Sequence, residues 1–148
     1  MIACKGKLVY GNSWCYLAIE DDIVRYYQWF MKKRYHGGLR LHLPKVGPHV
    51  SVVRGDDIDP IDPEMRELYW RKYDGLEIDF TYDPQTIGFN GEYFWFDVFC
   101  PFLAEVRAEM GLTPKPRYDY HLTIGKLYPD DVEMFQTFLR LEEEYDMS

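Results

Sequence analysis

Basic residues are the scarce charge in this 148-residue chain: 17 Lys and Arg stand against 25 Asp and Glu, for a net charge of −8. Gripping a long polyanion takes clustered cations over many phosphates. A genome-coating or duplex-binding protein is therefore disfavoured, and long duplex nucleic acid is not an expected partner. Cysteine is scarce too. Cys4, Cys15 and Cys100 are odd in number and widely spaced, and they form no C-x-x-C. That argues against a zinc site or a disulfide framework and fits a reducing, cytoplasmic compartment. No stretch approaches the roughly 20 apolar residues of a membrane span, so no membrane partner is expected. The opening MIACKGKLVYG lacks the apolar run of a signal peptide. No Asp and His cluster has metal-ligand spacing, so neither a metal nor another cofactor is expected.

What is present is ample apolar and aromatic material, 47% and 18% of the chain. That fills a core and leaves aromatics over for a pocket. The few cations are also grouped: Lys32, Lys33, Arg34, Arg40 and Lys45 stand close together. They form either a basic cleft for a small anion or a solvated helix end followed by a loop.

Periodicity divides the chain into strands and helices. Strands are expected over 7–10, 14–19, 39–43 and 49–53, with helices over about 22–34 and 63–73. Acidic residues open the first helix and Lys32, Lys33 and Arg34 close it, which suits the helix dipole. Ile23, Tyr26, Tyr27 and Phe30 are expected on its buried face. Asp62 and Pro63 are suited to the cap and first turn of the second helix. Strands follow over 76–82, 86–89 and 92–99, with Asn90-Gly91 marking a hairpin. A helix over 101–110 ends at Gly111, a strand covers 120–126, and a last helix runs from Pro129-Asp130 to about Glu142. The halves resemble each other: strand, helix, loop, histidine strand, helix, with one additional strand over 39–43 in the first. One domain of two facing lobes is expected, about 1–75 and 76–148.

Two short segments carry the chemistry. Pro48-His49-Val50-Ser51-Val52-Val53-Arg54 and Tyr120-His121-Leu122-Thr123-Ile124-Gly125-Lys126 share one pattern. Each reads histidine, apolar, hydroxyl, apolar, any residue, base. Residues two apart in a strand share a face, so His49 projects with Ser51 and His121 with Thr123. Cleaving a phosphodiester needs a base for the attacking oxygen and an acid for the leaving one. Imidazole suits both, with an unperturbed pKa of about 6.5. Nucleophile and leaving group lie on opposite sides of phosphorus, so one imidazole is wanted on each side. The hydroxyls of Ser51 and Thr123 can donate to the non-bridging oxygens. A single such motif occurs by chance; two at matching places in a duplicated layout do not share that weakness.

At these residues the chain resembles the 2H phosphoesterase family, the LigT-like and cyclic-phosphodiesterase group, named for two H-φ-[ST]-φ motifs with φ apolar. Here they read HVSV and HLTI. The resemblance implies an α+β, bilobal, pseudo-twofold fold in which two antiparallel sheets flank a central cleft, with helices outside. It implies His49 and His121 as acid and base, Ser51 and Thr123 on the phosphate, and no metal. It implies as substrate a small nucleotide or oligonucleotide: a 2′,3′-cyclic phosphate, a 2′-5′ oligonucleotide, an RNA end or a cyclic nucleotide signal. Compact viral members that destroy cyclic oligonucleotide immune signals are similar in size and motif separation, which would place the protein in host cytoplasm.

Other residues are candidates to line the cleft. If Cys15, Leu17 and Ile19 face the core, Tyr16 and then Trp14 are the base-stacking candidates. Arg40 is a candidate phosphate contact. Arg54 and Lys126 are candidate rim contacts, although each stands five residues from its histidine and simple alternation turns it to the other face. His36 is read as a loop residue and His42 as structural. Tyr93, Trp95 and Asp97 form one face of a strand and Phe94, Phe96 and Val98 the other, with the buried face undetermined. A nucleotide-binding sensor or sponge that does not turn over is the alternative function, and a protein-interaction module a third.

Overall fold

The computed structural model describes residues 1–34, 41–42, 47–57 and 63–145. His36, Arg40 and Lys45 lie outside them, as do positions 39 and 43 of the expected third strand.

The chain is α+β. Its strands are β1 (Ile2–Tyr10), β2 (Cys15–Ala18), β3 (Leu41–His42), β4 (His49–Val53), β5 (Glu77–Phe89), β6 (Tyr93–Phe99) and β7 (His121–Leu127). Its helices are α1 (Asp21–Arg34), α2 (Pro63–Tyr69), α3 (Pro101–Glu109) and α4 (Pro129–Tyr145). The family resemblance implies two antiparallel sheets flanking a cleft. The seven described strands instead form one antiparallel sheet in the order β3-β7-β6-β5-β1-β2-β4. The link is β5, 13 residues long. Its first half pairs with β1 and also meets the end of β6, and its second half pairs with β6 alone. The expected break at Pro84 is a register shift between Tyr82 and Ile87 within this one strand. Proline, lacking a ladder donor, is tolerated at such an interruption. The Asp83 carboxylate accepts from the Gln85 amide and the Thr86 hydroxyl there.

The short β3 also departs from expectation. Expected to belong to the first half, it pairs with β7, with Leu41 opposite Leu127 and His42 opposite Lys126. The His42 and Tyr128 rings lie against each other, centroids 3.6 Å apart and planes tilted by 33°.

One face of the sheet is core. Leu8, Leu17, Val50, Phe96, Leu122 and Ile124 are fully buried on it. Phe96 sits between Tyr27 of α1, 4.6 Å away edge-on, and Tyr82, 5.5 Å away and stacked. On α1 the buried residues are Val24 and Met31, with Ile23 and Tyr27 packed beside them. Tyr26 and Phe30, expected inside, are exposed. The true apolar stripe lies about one position around the helix from the expected one.

The Asn90-Gly91 hairpin forms as its residues dictate. Gly91 takes φ 101°, and the Asn90 side chain accepts from the amides of Glu92 and Tyr93. Helix α2 stops at Tyr69 rather than Tyr73, with Arg71 at φ 66° in the following turns, and α4 continues past Glu142 to Tyr145. No described helix is long and apolar enough to cross a membrane.

Candidate active site

Strand register carries both histidines to one face of the sheet. His121 lies opposite Asp97 and Thr123 opposite Trp95. Phe99, two residues beyond Asp97, lies opposite Thr81, which lies opposite Ala3. Further along β1, Lys7 lies opposite Ala18 and Val9 opposite Tyr16. Ala18 in turn lies opposite His49 and Tyr16 opposite Ser51. Paired residues share a face, so His49, Ser51, His121 and Thr123 all project from the face opposite the core. All four are half-buried. The sheet curls enough that Cα atoms of β4 and β7 come within 8 Å, and no ladder joins these two strands.

The two motifs are built alike in detail. Each ring anchors its Nδ1 on the carbonyl two residues upstream: His49 on Gly47 at 2.9 Å, His121 on Asp119 at 2.7 Å. A carbonyl oxygen has no proton to give, so Nδ1 carries the hydrogen in both rings. Nε2 is then the atom free to take or release a proton. The carbonyl of the preceding residue is also used identically. Pro48 accepts from the Ile19 amide and Tyr120 from the Val98 amide, both at 3.0 Å.

An aromatic residue stands opposite each hydroxyl residue. Tyr16 faces Ser51, and its ring meets the His49 ring at 5.4 Å and 64°. Trp95 faces Thr123, and its ring meets the His121 ring at 6.2 Å and 63°. Trp14 stacks on Tyr16 at 5.0 Å. The burial of Phe94, Phe96 and Val98 settles the open question about β6 and places Tyr93, Trp95 and Asp97 on the site face. Trp95 is thus the counterpart of Tyr16. The matching position in the halves, together with the inward Leu122 and Ile124, is a sequence signal that could have found it.

Both histidine strands also contain a bulge at the same place. Partners shift from Cys15↔Val53 to Tyr16↔Ser51, and from Phe94↔Gly125 to Trp95↔Thr123. The extra residues are Val52 and Ile124, the fourth of each motif. An inserted residue reverses the alternation beyond it. Simple parity turns Arg54 and Lys126 away; the bulges turn them back. Lys126 lies opposite Tyr93, with its ammonium 5.4 Å from that ring and 3.8 Å from Glu92. Arg54 rests 5.4 Å from the Tyr118 ring.

A groove of about 810 Å³ opens on this face. Arg54, Trp95, Asp97, Tyr118, His121 and Thr123 are among its walls, with Thr86, Gly88, Asn90, Tyr93 and Asp119 completing the described lining. The first motif enters it through Arg54; His49, Ser51 and Tyr16 are not in that lining. The sequence leaves the face of Trp95 and Asp97 undetermined, reads Asn90 only as a hairpin residue and gives no signal for Tyr118. Of the carboxylates, Asp119 is paired with Lys115 at 3.1 Å. Among the described residues no group of three His, Cys, Asp or Glu is placed to hold a metal.

Beneath the first motif lies an ion pair between the buried Arg107 and the partly exposed Asp57. Arg107 of α3 donates to Asp57 at 3.0 Å, to the Val52 carbonyl at 2.8 Å and to the Thr113 carbonyl at 2.8 Å. Burial alone would raise the Asp57 carboxyl. The Arg54 amide and the Arg107 guanidinium outweigh it and hold the group below its ordinary value. Burial pushes Tyr120, just before His121, up to about 12, so it stays neutral.

Comparison with family models, with curated proteins and with solved structures finds no match for the chain.

Proposed function

We propose that the protein is a phosphodiesterase of the two-histidine kind, acting on a cyclic or short nucleotide phosphodiester without a metal. The observation that carries the reading is the duplicated histidine: two rings on one face, each with Nδ1 tied to a backbone carbonyl and Nε2 left for proton transfer. A phosphate held between β4 and β7 would meet a base on one side and an acid on the other. The Ser51 and Thr123 hydroxyls would donate to the non-bridging oxygens, where charge builds in the transition state. Arg54 and Lys126, turned to the site face by the bulges, supply positive charge near it. Tyr16 and Trp95 flank the two motifs, so a base can stack on either side of the phosphate. That favours a substrate with a nucleoside on each side of the scissile bond. A family assignment to the 2H phosphoesterases rests on the same motifs and their symmetric setting.

The test is turnover of a panel containing 2′,3′-cyclic nucleotides, 2′-5′-linked adenylate and cyclic di- and trinucleotides. His49→Ala and His121→Ala should each lower kcat by about 10²–10⁴-fold with the fold intact by circular dichroism. Activity should persist in a chelator. Loss in chelator with recovery on adding a divalent ion, or full activity in both histidine variants, overturns the proposal. Ligand bound and released intact by the wild type identifies a sensor or sponge instead.

A further inference from the structure

The bulges leave a structural debt that is met from across the molecule. An inserted residue breaks the ladder, so its carbonyl loses its regular partner. On β4 that carbonyl belongs to Val52, and Arg107 of α3 donates to it at 2.8 Å. On β7 it belongs to Ile124, and Gln28 of α1 donates to it at 2.8 Å. Each donor comes from the opposite half of the chain. Arg107 is 2% exposed, and Gln28 belongs to α1, which packs on the core face through Tyr27 against Phe96, so both donors stand away from the face that carries the histidines. The backbone at β7 is also crowded where Gln28 arrives. A Cβ on Gly125 would stand 3.0 Å from its amide nitrogen and 2.8 Å from Leu41 Cβ.

We infer that Gln28 and Arg107 are positioning residues for the two-histidine site, acting through the bulges. This rests on the reading of the site proposed above. Each bulge sets how the histidine and hydroxyl upstream sit relative to the cation downstream. A strand that expels its extra residue shifts register by one, and every side chain beyond moves to the other face. Loss of the donor leaves a buried carbonyl unsatisfied and favours that expulsion. The result is a site whose groups are all present but misaligned.

Gln28→Met keeps the side chain's length and removes its donor, so it isolates the effect on β7. Turnover is measured on 2′,3′-cyclic AMP, a 2′-5′-linked adenylate dimer and cyclic di-AMP. The expected result is a kcat about 10- to 100-fold lower with KM nearly unchanged, since misplacement of reacting groups costs rate rather than uniform binding. In ¹⁵N spectra of the imidazoles, the His121 signals should change and those of His49 should not. Arg107→Met should do the reverse, and Arg107→Lys, which keeps a cationic donor, should recover part of the loss. Because Arg107→Met also strips Asp57, the Gln28 variant decides. A folded Gln28→Met protein with wild-type kcat and unchanged His121 signals overturns the inference. If wild type turns over none of the three nucleotides, the functional reading fails for them, and the ring spectra still decide whether Gln28 positions His121.

Discussion

Arg107 and Asp57 show how much a single buried charge can govern. Arg107 is almost wholly inside, and its only described carboxylate partner is Asp57, whose side chain is 21% exposed. Removing one member of such a pair leaves the other charge without compensation. Asp57→Asn should lower the unfolding free energy in urea by about 2 kcal/mol, below the fully buried case because Asp57 is partly solvated. The pH dependence follows from the depressed folded-state value. The contribution is fully present above the unfolded carboxyl pKa of about 3.9 and is lost as pH falls through the lower folded value. Wild type and Asp57→Asn should therefore differ most near neutrality and converge in acid; a constant gap down to about pH 2 would contradict the assignment. The cysteines separate on the same grounds. Burial pushes the Cys15 thiol up to about 12 and raises Cys100, while Cys4, also raised by burial, is only half-buried. Thiolate is the reactive form. Iodoacetamide at mild alkaline pH should modify Cys4 first and reach the other two only in denaturant, as read by peptide mass spectrometry.

Among the elements, β6 joins core to site through alternate residues. Phe96 is fully buried between Tyr27 and Tyr82, while Trp95 beside it faces the groove. Phe96→Ala should cost about 3–5 kcal/mol in the same urea experiment. Trp95→Ala should cost far less stability and instead weaken substrate binding by about 1–3 kcal/mol, read as a raised KM. The reverse ranking would mean that the faces of β6 are misassigned. What was legible beforehand follows from locality. The motifs could be read because a histidine and a hydroxyl two residues apart share a face in any strand. Asn90-Gly91 and the charged ends of α1 are likewise short-range signals. The bulges were not legible, because register depends on which strand lies alongside, and they reverse the parity argument applied to Arg54 and Lys126. The destination of β3, the continuity of β5 through Pro84 and the choice of Gln28 and Arg107 as carbonyl donors are all long-range outcomes. The stripe on α1 lies one position from the expected one because the exposed side of the helix carries Tyr26, Trp29 and Phe30, leaving little contrast between faces.

At the scale of the whole molecule, the halves are interleaved. Helix α1 packs on β7 and α3 on β4, so each histidine strand is supported by a helix from the other half. β3 leaves the first half to pair with β7, and β1 pairs with β5 across the middle of the sheet. Each histidine strand thus takes helix support and its bulge-carbonyl donor from the other half. A chain built this way should unfold as one unit. Far-ultraviolet dichroism and tryptophan fluorescence should give coincident transitions in urea. Residues 1–75 and 76–148 expressed apart should lack dispersed amide spectra, because each exposes the apolar face that the other normally covers. Mixed together, they should recover dispersion, since the missing contacts are all noncovalent. A half that folds alone, with its histidine ring in the native tautomer, would show that the motifs are organised locally. The cross-half donors would then be incidental to the site.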